Sequence, residues 1–318
     1  GRGGRVEGGA GSGHGDRNGA VVDPGLGGGL PCGARDRRRP RGGAVTDRSS
    51  TPRDRGSPVV LKLGGSLITA KDRPETVDEA ALAAAGDAVA AADVGESPGR
   101  GDTDTETTRT AGLVLVHGGG SFGHHHASEH GLSTTDGSDD VAAVADVHGA
   151  MGVLTDAVLA ALRERGVPAV PVHPLSLAAR ESGTEGSLTL PLASVRTLLA
   201  EGFVPVVHGD LVATAGAGVT VVSGDELVVE LAGGLGADRV GVCSTVPGVL
   251  DGDGDVIPTI DAFEPVAEAV GASDATDVSG GMAAKVRELL ALDAPASVFG
   301  PADLEAFLRG ASPGTTIE

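Results

Sequence analysis

The sequence predicts an α/β fold on a mostly parallel sheet. Three observations carry this expectation. From Val59 onward, short runs of branched apolar residues alternate with Ala- and Leu-rich stretches of helical length. Two of the runs end in glycine-rich turns, the arrangement that places ligands at the carboxyl edge of an open parallel sheet. The remaining length, about 260 residues, suits one large domain or two lobes sharing one sheet.

Strands are expected over 59–63, 113–116, 169–172, 204–207, 239–243 and 296–299, each four or five residues dominated by Val, Leu or Ala. Helices are expected over 77–92, 141–164, 192–201, 225–235 and 281–291, where Ala and Leu recur at helical spacing. Around Gly209 to Gly218 a glycine-rich break with alternating Val212, Val219, Val221 and Val222 reads as a hairpin between lobes. Residues 95–110, rich in Gly, Asp, Thr and Glu without an apolar anchor, read as an acidic surface insertion. Residues 1–57 are rich in Gly, Arg, Asp and Pro, have no apolar periodicity, and read as a disordered tail. The arginine run Arg37-Arg38-Arg39 could serve a nucleic-acid arm, but a solvated tail is the preferred reading.

The chain of 318 residues carries a formal net charge of −20. That charge is uneven: residues 1–57 hold 11 Arg against 6 Asp and Glu, so the rest of the chain is more acidic than the total. Such a surface argues against nucleic acid as a partner. It suits a halophile's protein, whose self-repulsion molar salt screens, or simply an acidic protein from a GC-rich gene. No apolar run reaches the length of a membrane span, and no signal-peptide core opens the chain. Cys32 and Cys243 lie in unrelated contexts. A cytoplasmic protein without a disulfide or membrane anchor is therefore expected.

The chain has only three lysines: Lys62, Lys71 and Lys285. All three lie in or just after glycine-rich motifs, where a compact ammonium can neutralise phosphate charge and bare amides can approach it. Lys62-Leu63-Gly64-Gly65-Ser66 ends the first strand, with Lys71 close behind. It is not a Walker A loop, because the lysine precedes the glycines. His117-Gly118-Gly119-Gly120-Ser121-Phe122-Gly123-His124 ends the second strand, a second turn able to form an anion nest at a helix N-terminus. Val206-Val207-His208-Gly209-Asp210 and Ser223-Gly224-Asp225-Glu226 form a third group. Here Ser223 suits a helix cap, and Asp225 suits either capping or the orientation of lysines. Ser279-Gly280-Gly281 to Lys285 places a cation in a first helical turn, against the dipole, which points to an anionic ligand. The run His124-His125-His126 is read as one site histidine followed by exposed ones, with His130 also exposed. Consecutive residues on a helix cannot all face one metal.

Together these motifs resemble the amino acid kinase superfamily, and within it the isopentenyl phosphate kinases, over essentially Val59 to Ile317 including the closing Gly314-Thr315-Thr316-Ile317. The histidine in Gly118-Gly119-Gly120-Ser121-Phe122-Gly123-His124 is the piece that resembles this branch rather than its siblings. The resemblance implies a three-layer αβα sandwich from a haloarchaeon, and ATP-dependent phosphorylation of isopentenyl phosphate with Mg²⁺. It implies an acceptor-binding lobe over 58–208, a nucleotide-binding lobe over 209–318, and a homodimer. Carried across, Lys62, Lys71, His124 and Asp225 would be catalytic. Gly64, Gly65, Ser66, Gly120, Gly281 and Lys285, with Lys62 and Asp225, would hold the nucleotide, and Gly119, His124 and Gly209 the acceptor. Thr245-Val246-Pro247-Gly248-Val249 departs from the family's pattern, with Pro247 where an Asp is common. The alternatives are a sibling kinase for another small phosphate, phosphonate or carboxylate, or a nucleotide-binding sensor without turnover.

The residues agree with this implication. A phosphate monoester has its second pKa near 6, so the acceptor oxygen is largely deprotonated at neutral pH and needs positioning and cations rather than a base. His124 could donate to such a dianion. The stripe Val144, Val147, Met151 and Leu154 could wall an apolar pocket, although ordinary core is the preferred reading.

Overall fold

The computed structural model describes residues 57–92, 112–181, 187–267 and 281–318. The tail expected at 1–57 (Ser57 excepted), the insertion at 95–110, and Ser279 and Gly280 lie outside the described residues.

In chain order the described elements begin with β1 (Val59–Leu63), α1 (Gly65–Ile68), α2 (Glu79–Ala91), β2 (Leu113–His117), α3 (Gly120–Glu129), α4 (Val141–Arg163) and β3 (Ala169–Val172). Next come β4 (Ala179–Arg180), β5 (Leu188–Thr189), α5 (Ala193–Ala200), β6 (Val204–His208), β7 (Asp210–Thr214), β8 (Gly218–Val222) and α6 (Gly224–Leu235). The chain closes with β9 (Arg239–Cys243), β10 (Thr259–Ile260), α7 (Gly281–Leu290), β11 (Ala296–Phe299), α8 (Leu304–Leu308) and β12 (Thr315–Ile317).

Eight strands form the central sheet in the order β10-β12-β11-β9-β1-β2-β6-β3. Every pairing in it is parallel except β11 with β12. From β1 the chain fills β2, β3 and β6 on one side, then β9 and β11 on the other. The carboxyl end of β1 is therefore the switch point, where an open parallel sheet leaves a crevice for ligands.

Residues of β1 alternate between faces. Leu61 and Leu63 join one buried cluster with Leu82, Val89, Leu154 and Phe307, contributed by α2, α4 and α8. Val60 joins the other with Leu227, Leu231, Val286 and Leu289, contributed by α6 and α7. The result is the expected three-layer arrangement. Lys62, two residues after Val60, therefore emerges on the α6 and α7 side.

The hairpin expected after Gly209 is β7 and β8, with Asp210 opposite Val222 and Thr214 opposite Gly218. It belongs to a second sheet, β5-β4-β7-β8. The strands β4, β5, β10 and β12 and the helices α1 and α8 were not expected, because two to five residues are too few for a periodic signal.

By length and composition α4 is apolar enough to cross a membrane. Its apolar residues are interrupted by Asp146, His148 and Asp156, which is why no continuous run shows in the sequence. Its stripe Ala143, Val147, Ala150, Met151, Leu154, Val158 and Leu162 is buried in this fold, as in the core helix of a globular domain.

Candidate active site

Four segments meet outside the carboxyl ends of β1, β2, β6 and β9 around a cavity of about 180 Å³. Lys62, Gly64, Gly65, Ser66 and Lys71 come from the first, and Gly119 and His124 from the second. Gly209 and Asp225 come from the third, and Lys285 from α7. Ten of the expected site residues thus line one cavity. Gly120 and Gly281 do not line it. Gly120 has φ +50°, and a side chain there would overlap Thr69 and the carbonyl of Gly65, so its glycine is needed for packing between the turns. Gly281 has φ +64° at the start of α7.

Asp225 organises the cations. Its Oδ2 accepts from Lys62 Nζ at 2.6 Å and from Lys285 Nζ at 3.0 Å. Both Asp225 and Lys62 are buried. Burial pulls the Lys62 ammonium down from its ordinary value, opposed by the Asp225 charge. Burial would raise the Asp225 carboxyl, yet the two lysines outweigh it and hold the group well below the usual carboxylate range. Asp225 is ionised at any pH where the protein works. Its other oxygen, Oδ1, is buried without a hydrogen-bond partner among the described residues.

The local sequence explains why Asp225 is available. Ser223 caps α6 by accepting from the Glu226 amide at 3.0 Å, and Glu226 Oε2 accepts from the Ser223 amide at 2.9 Å. This capping box satisfies the helix end, so Asp225 is released from capping and left to the lysines. By contrast α1 and α3 begin at Gly64 and Gly119 with no side-chain cap. Gly64, Gly65, Ser66 and Gly119, at the starts of these two helices, line the cavity with the cations, while the Ser121 amide of α3 donates to Thr69 Oγ1 at 3.0 Å.

His124 lines the cavity beside Gly119, and Lys71 is an exposed member of its rim. The α4 stripe divides: Val147 and Met151 line the cavity, while Leu154 is core. Gly123 leaves room for Met151, whose Sδ would stand 2.7 Å from a side chain there. Beyond β9 the wall is Ser244 and Thr245, whereas Pro247 does not line it.

Three features were missed. Glu288, three residues after Lys285 on α7, has a buried Oε2 without a partner among the described residues, and burial together with Asp225 and Glu226 raises its carboxyl to about 7. The i,i+3 spacing from Lys285 was the available signal. Beneath Gly118 and Gly209 lie His117 and His208, fully buried and stacked at 5.5 Å. His208 Nδ1 donates to the Gly209 carbonyl at 2.9 Å, so its Nε2 accepts, and His173 Nδ1 donates to it at 2.9 Å. His148 Nδ1 meets Asp210 Oδ2 at 2.9 Å. A scatter of histidines along the sequence gave no hint that these would gather. Third, His126 is not exposed as expected. Its side chain retains 13% of its accessible surface, between Glu75 and Asp146.

The chain matches the model of the amino acid kinase family over residues 57–292. It is 64% identical over 259 residues to a Haloferax volcanii protein named isopentenyl phosphate kinase, spanning 81% of this chain and 98% of that one. A protein of the same name from Methanothermobacter thermautotrophicus is 32% identical over 251 residues, 74% of this chain and 86% of the relative. A solved isopentenyl phosphate kinase structure superposes with a TM-score of 0.65 at 26% identity, covering 82% of this chain and all of that one.

Proposed function

The chain belongs to the amino acid kinase family and, within it, to the isopentenyl phosphate kinases, and from that premise we infer that it converts isopentenyl phosphate and ATP to isopentenyl diphosphate and ADP. The observation that carries this reading is Asp225 holding Lys62 and Lys285 on one oxygen at a cavity lined by the glycine-rich turns that open α1 and α3. Such a site neutralises clustered phosphates and contributes no base, which suits an acceptor that arrives deprotonated.

An acceptor phosphate oxygen attacks the γ-phosphorus in line, and the bond from that phosphorus to the β-bridging oxygen breaks, its electron pair leaving with ADP. Lys62 and Lys71 balance the charge spread over the equatorial oxygens, and Lys285 holds nucleotide phosphate. Gly65 and Ser66 give amides to the nucleotide and Gly64, whose own amide donates to the Cys243 carbonyl at 2.9 Å, lets it approach, whereas Gly119 and Gly209 let the acceptor approach closely. His124 donates to the acceptor phosphate and fixes its angle. Val147 and Met151 border the space for its apolar tail. The unpartnered Oδ1 of Asp225 fits a role toward Mg²⁺. When bound with the nucleotide, Mg²⁺ supplies further neutralisation of the phosphates.

The same reading takes 58–208 as the acceptor lobe and 209–318 as the nucleotide lobe of a cytoplasmic, salt-adapted homodimer. The test is ADP release in molar KCl with Mg-ATP, comparing isopentenyl phosphate with N-acetylglutamate, UMP and fosfomycin. Selective turnover of isopentenyl phosphate is expected. Turnover of another acceptor alone would overturn the substrate assignment, and no turnover with any of them would favour a sensor.

A further inference from the structure

The outer side of α3 carries a second cluster of donor atoms, with no part in the chemistry above. His126 and His130 stand one helical turn apart and point the same way. His126 Nδ1 lies 2.8 Å and His130 Nε2 2.9 Å from the same oxygen, Asp146 Oδ2 on α4. Glu129 Oε2 is 3.9 Å from His126 Nδ1. The donor atoms of His126, Glu129 and Asp146 all lie within 4.8 Å of one another. A tetrahedral ion with bonds near 2.0–2.1 Å separates its donors by about 3.3 Å, so these three need only small side-chain rotations, and His130, outside that group but 2.9 Å from Asp146 Oδ2, a larger one. Side-chain exposures of 31% for His130, 45% for Asp146 and 55% for Glu129 leave room for them.

The other ring nitrogen of His126 supplies an independent observation. Its Nε2 is 3.1 Å from Glu75 Oε1. A metal-bound imidazole characteristically donates its second N–H to a carboxylate, which fixes the ring and raises its basicity. Glu75 is itself held in place: it is the sole described non-glycine residue with positive φ, at +46°, and its amide donates to the Ser121 carbonyl at 3.1 Å. A ligand histidine with its orienting carboxylate is thus already assembled.

We propose that His126, His130, Glu129 and Asp146 form a binding site for a borderline divalent cation of the Zn²⁺ class, with Glu75 as the partner that orients His126. Two imidazoles and two carboxylates favour Zn²⁺ or Co²⁺ over Mg²⁺, which prefers all-oxygen octahedral surroundings. The cation would tie α3 to α4 and, through Glu75, to the segment that follows Lys71. Because α3 opens with the turn holding Gly119 and bears His124, occupancy would stiffen the acceptor side of the cavity.

The test uses the full chain, freed of metal with a chelator and without nucleotide, titrated with Co²⁺ and then with competing Zn²⁺. The expected result is one equivalent of Co²⁺ with the strong visible absorption of a tetrahedral complex, displaced by Zn²⁺, and a melting temperature that rises with Zn²⁺. His126→Ala and Asp146→Asn should abolish the band, His130→Ala should weaken binding at least tenfold, and Glu75→Gln should weaken it about tenfold. His125→Ala should bind as the parent does. Far-UV circular dichroism establishes that each variant is folded. If His126→Ala does not fold, the exposed Asp146→Asn and His130→Ala decide the matter. Absence of the band in the parent chain, or affinity unchanged by Asp146→Asn and His130→Ala, would overturn the site. So would equal loss in His125→Ala.

Discussion

A side chain on Gly65 would meet the Cα of Gly120 at 2.7 Å, so the lysine turn after β1 and the histidine turn after β2 touch backbone to backbone. The same approach is seen from Gly120, where a side chain would overlap Thr69 and the Gly65 carbonyl. Donor and acceptor sides of the proposed reaction are therefore held at a separation set by two absent side chains. Gly65→Ala is expected to destabilise the fold by about 2 kcal/mol or more and to reduce turnover sharply. Gly149→Ala, in α4 with nothing within 4 Å, should instead stabilise by about 0.5 to 1 kcal/mol. Urea unfolding of the pair checks this, and a neutral Gly65→Ala would refute the contact.

Lys62→Ala should lower kcat by on the order of 10²-fold or more, as for the loss of one preorganised charge stabiliser. Asp225→Asn should also lower kcat, because Lys62 and Lys285 lose the shared oxygen that aligns them. Steady-state rates with saturating ATP decide it. Near-normal turnover in Lys62→Ala would exclude the assigned role.

His124→Ala should act chiefly on the acceptor, raising its KM more than it lowers kcat. His125→Ala, one position along α3, should be almost silent, since His124 lines the cavity and His125 does not. Equal losses at the two positions would count against acceptor recognition by His124.

Burial pushes the His117 and His208 imidazoles down from 6.5 to about 4, His208 also through its neighbour His117. The folded pKa lies below the unfolded one, so the unfolded chain takes up protons first as pH falls. Stability is then lost progressively between about pH 6.5 and 4, by roughly 3 kcal/mol per histidine. Unfolding midpoints at constant KCl should fall through that window, and His208→Gln should flatten the trend. A pH-independent midpoint would contradict it.

Glu288 titrates near neutrality beside Lys285, its carboxyl raised to about 7 by burial and by Asp225 and Glu226. Its ionisation as pH rises through 7 adds negative charge where nucleotide phosphate is to bind. The KM for ATP should therefore climb across that range, and Glu288→Gln should remove the climb. The same pH dependence in both proteins would assign it elsewhere.

Local signals made much of this legible. The strands over 59–63 and 239–243 and the helix over 281–290 show in the sequence because clustered or alternating apolar residues, or a helical period, act within a few positions. Lys62 and Lys285 stood out because lysine is so scarce elsewhere in this chain. Asp225 was ambiguous between capping and lysine orientation, and only the capping box of Ser223 and Glu226 settles which side chain does which. Short strands such as Ala179–Arg180 and Leu188–Thr189 exist because neighbours pair with them, which no local pattern records.

By itself the sequence determined the fold class, the family and the glycine-rich turns, since these depend on side-chain period, backbone freedom and motif spacing along the chain. Tertiary structure alone decided that Lys62, far upstream in the chain, and Lys285, 60 residues after Asp225, share one oxygen of that carboxylate. It also decided that His117, His208, His173 and His148 gather beneath the site, and that His126 meets Asp146 and Glu75. The physical reason is common to all of these: long-range contacts are fixed by which strands lie adjacent and which face each residue takes, and both are settled only when the sheet and its helices pack.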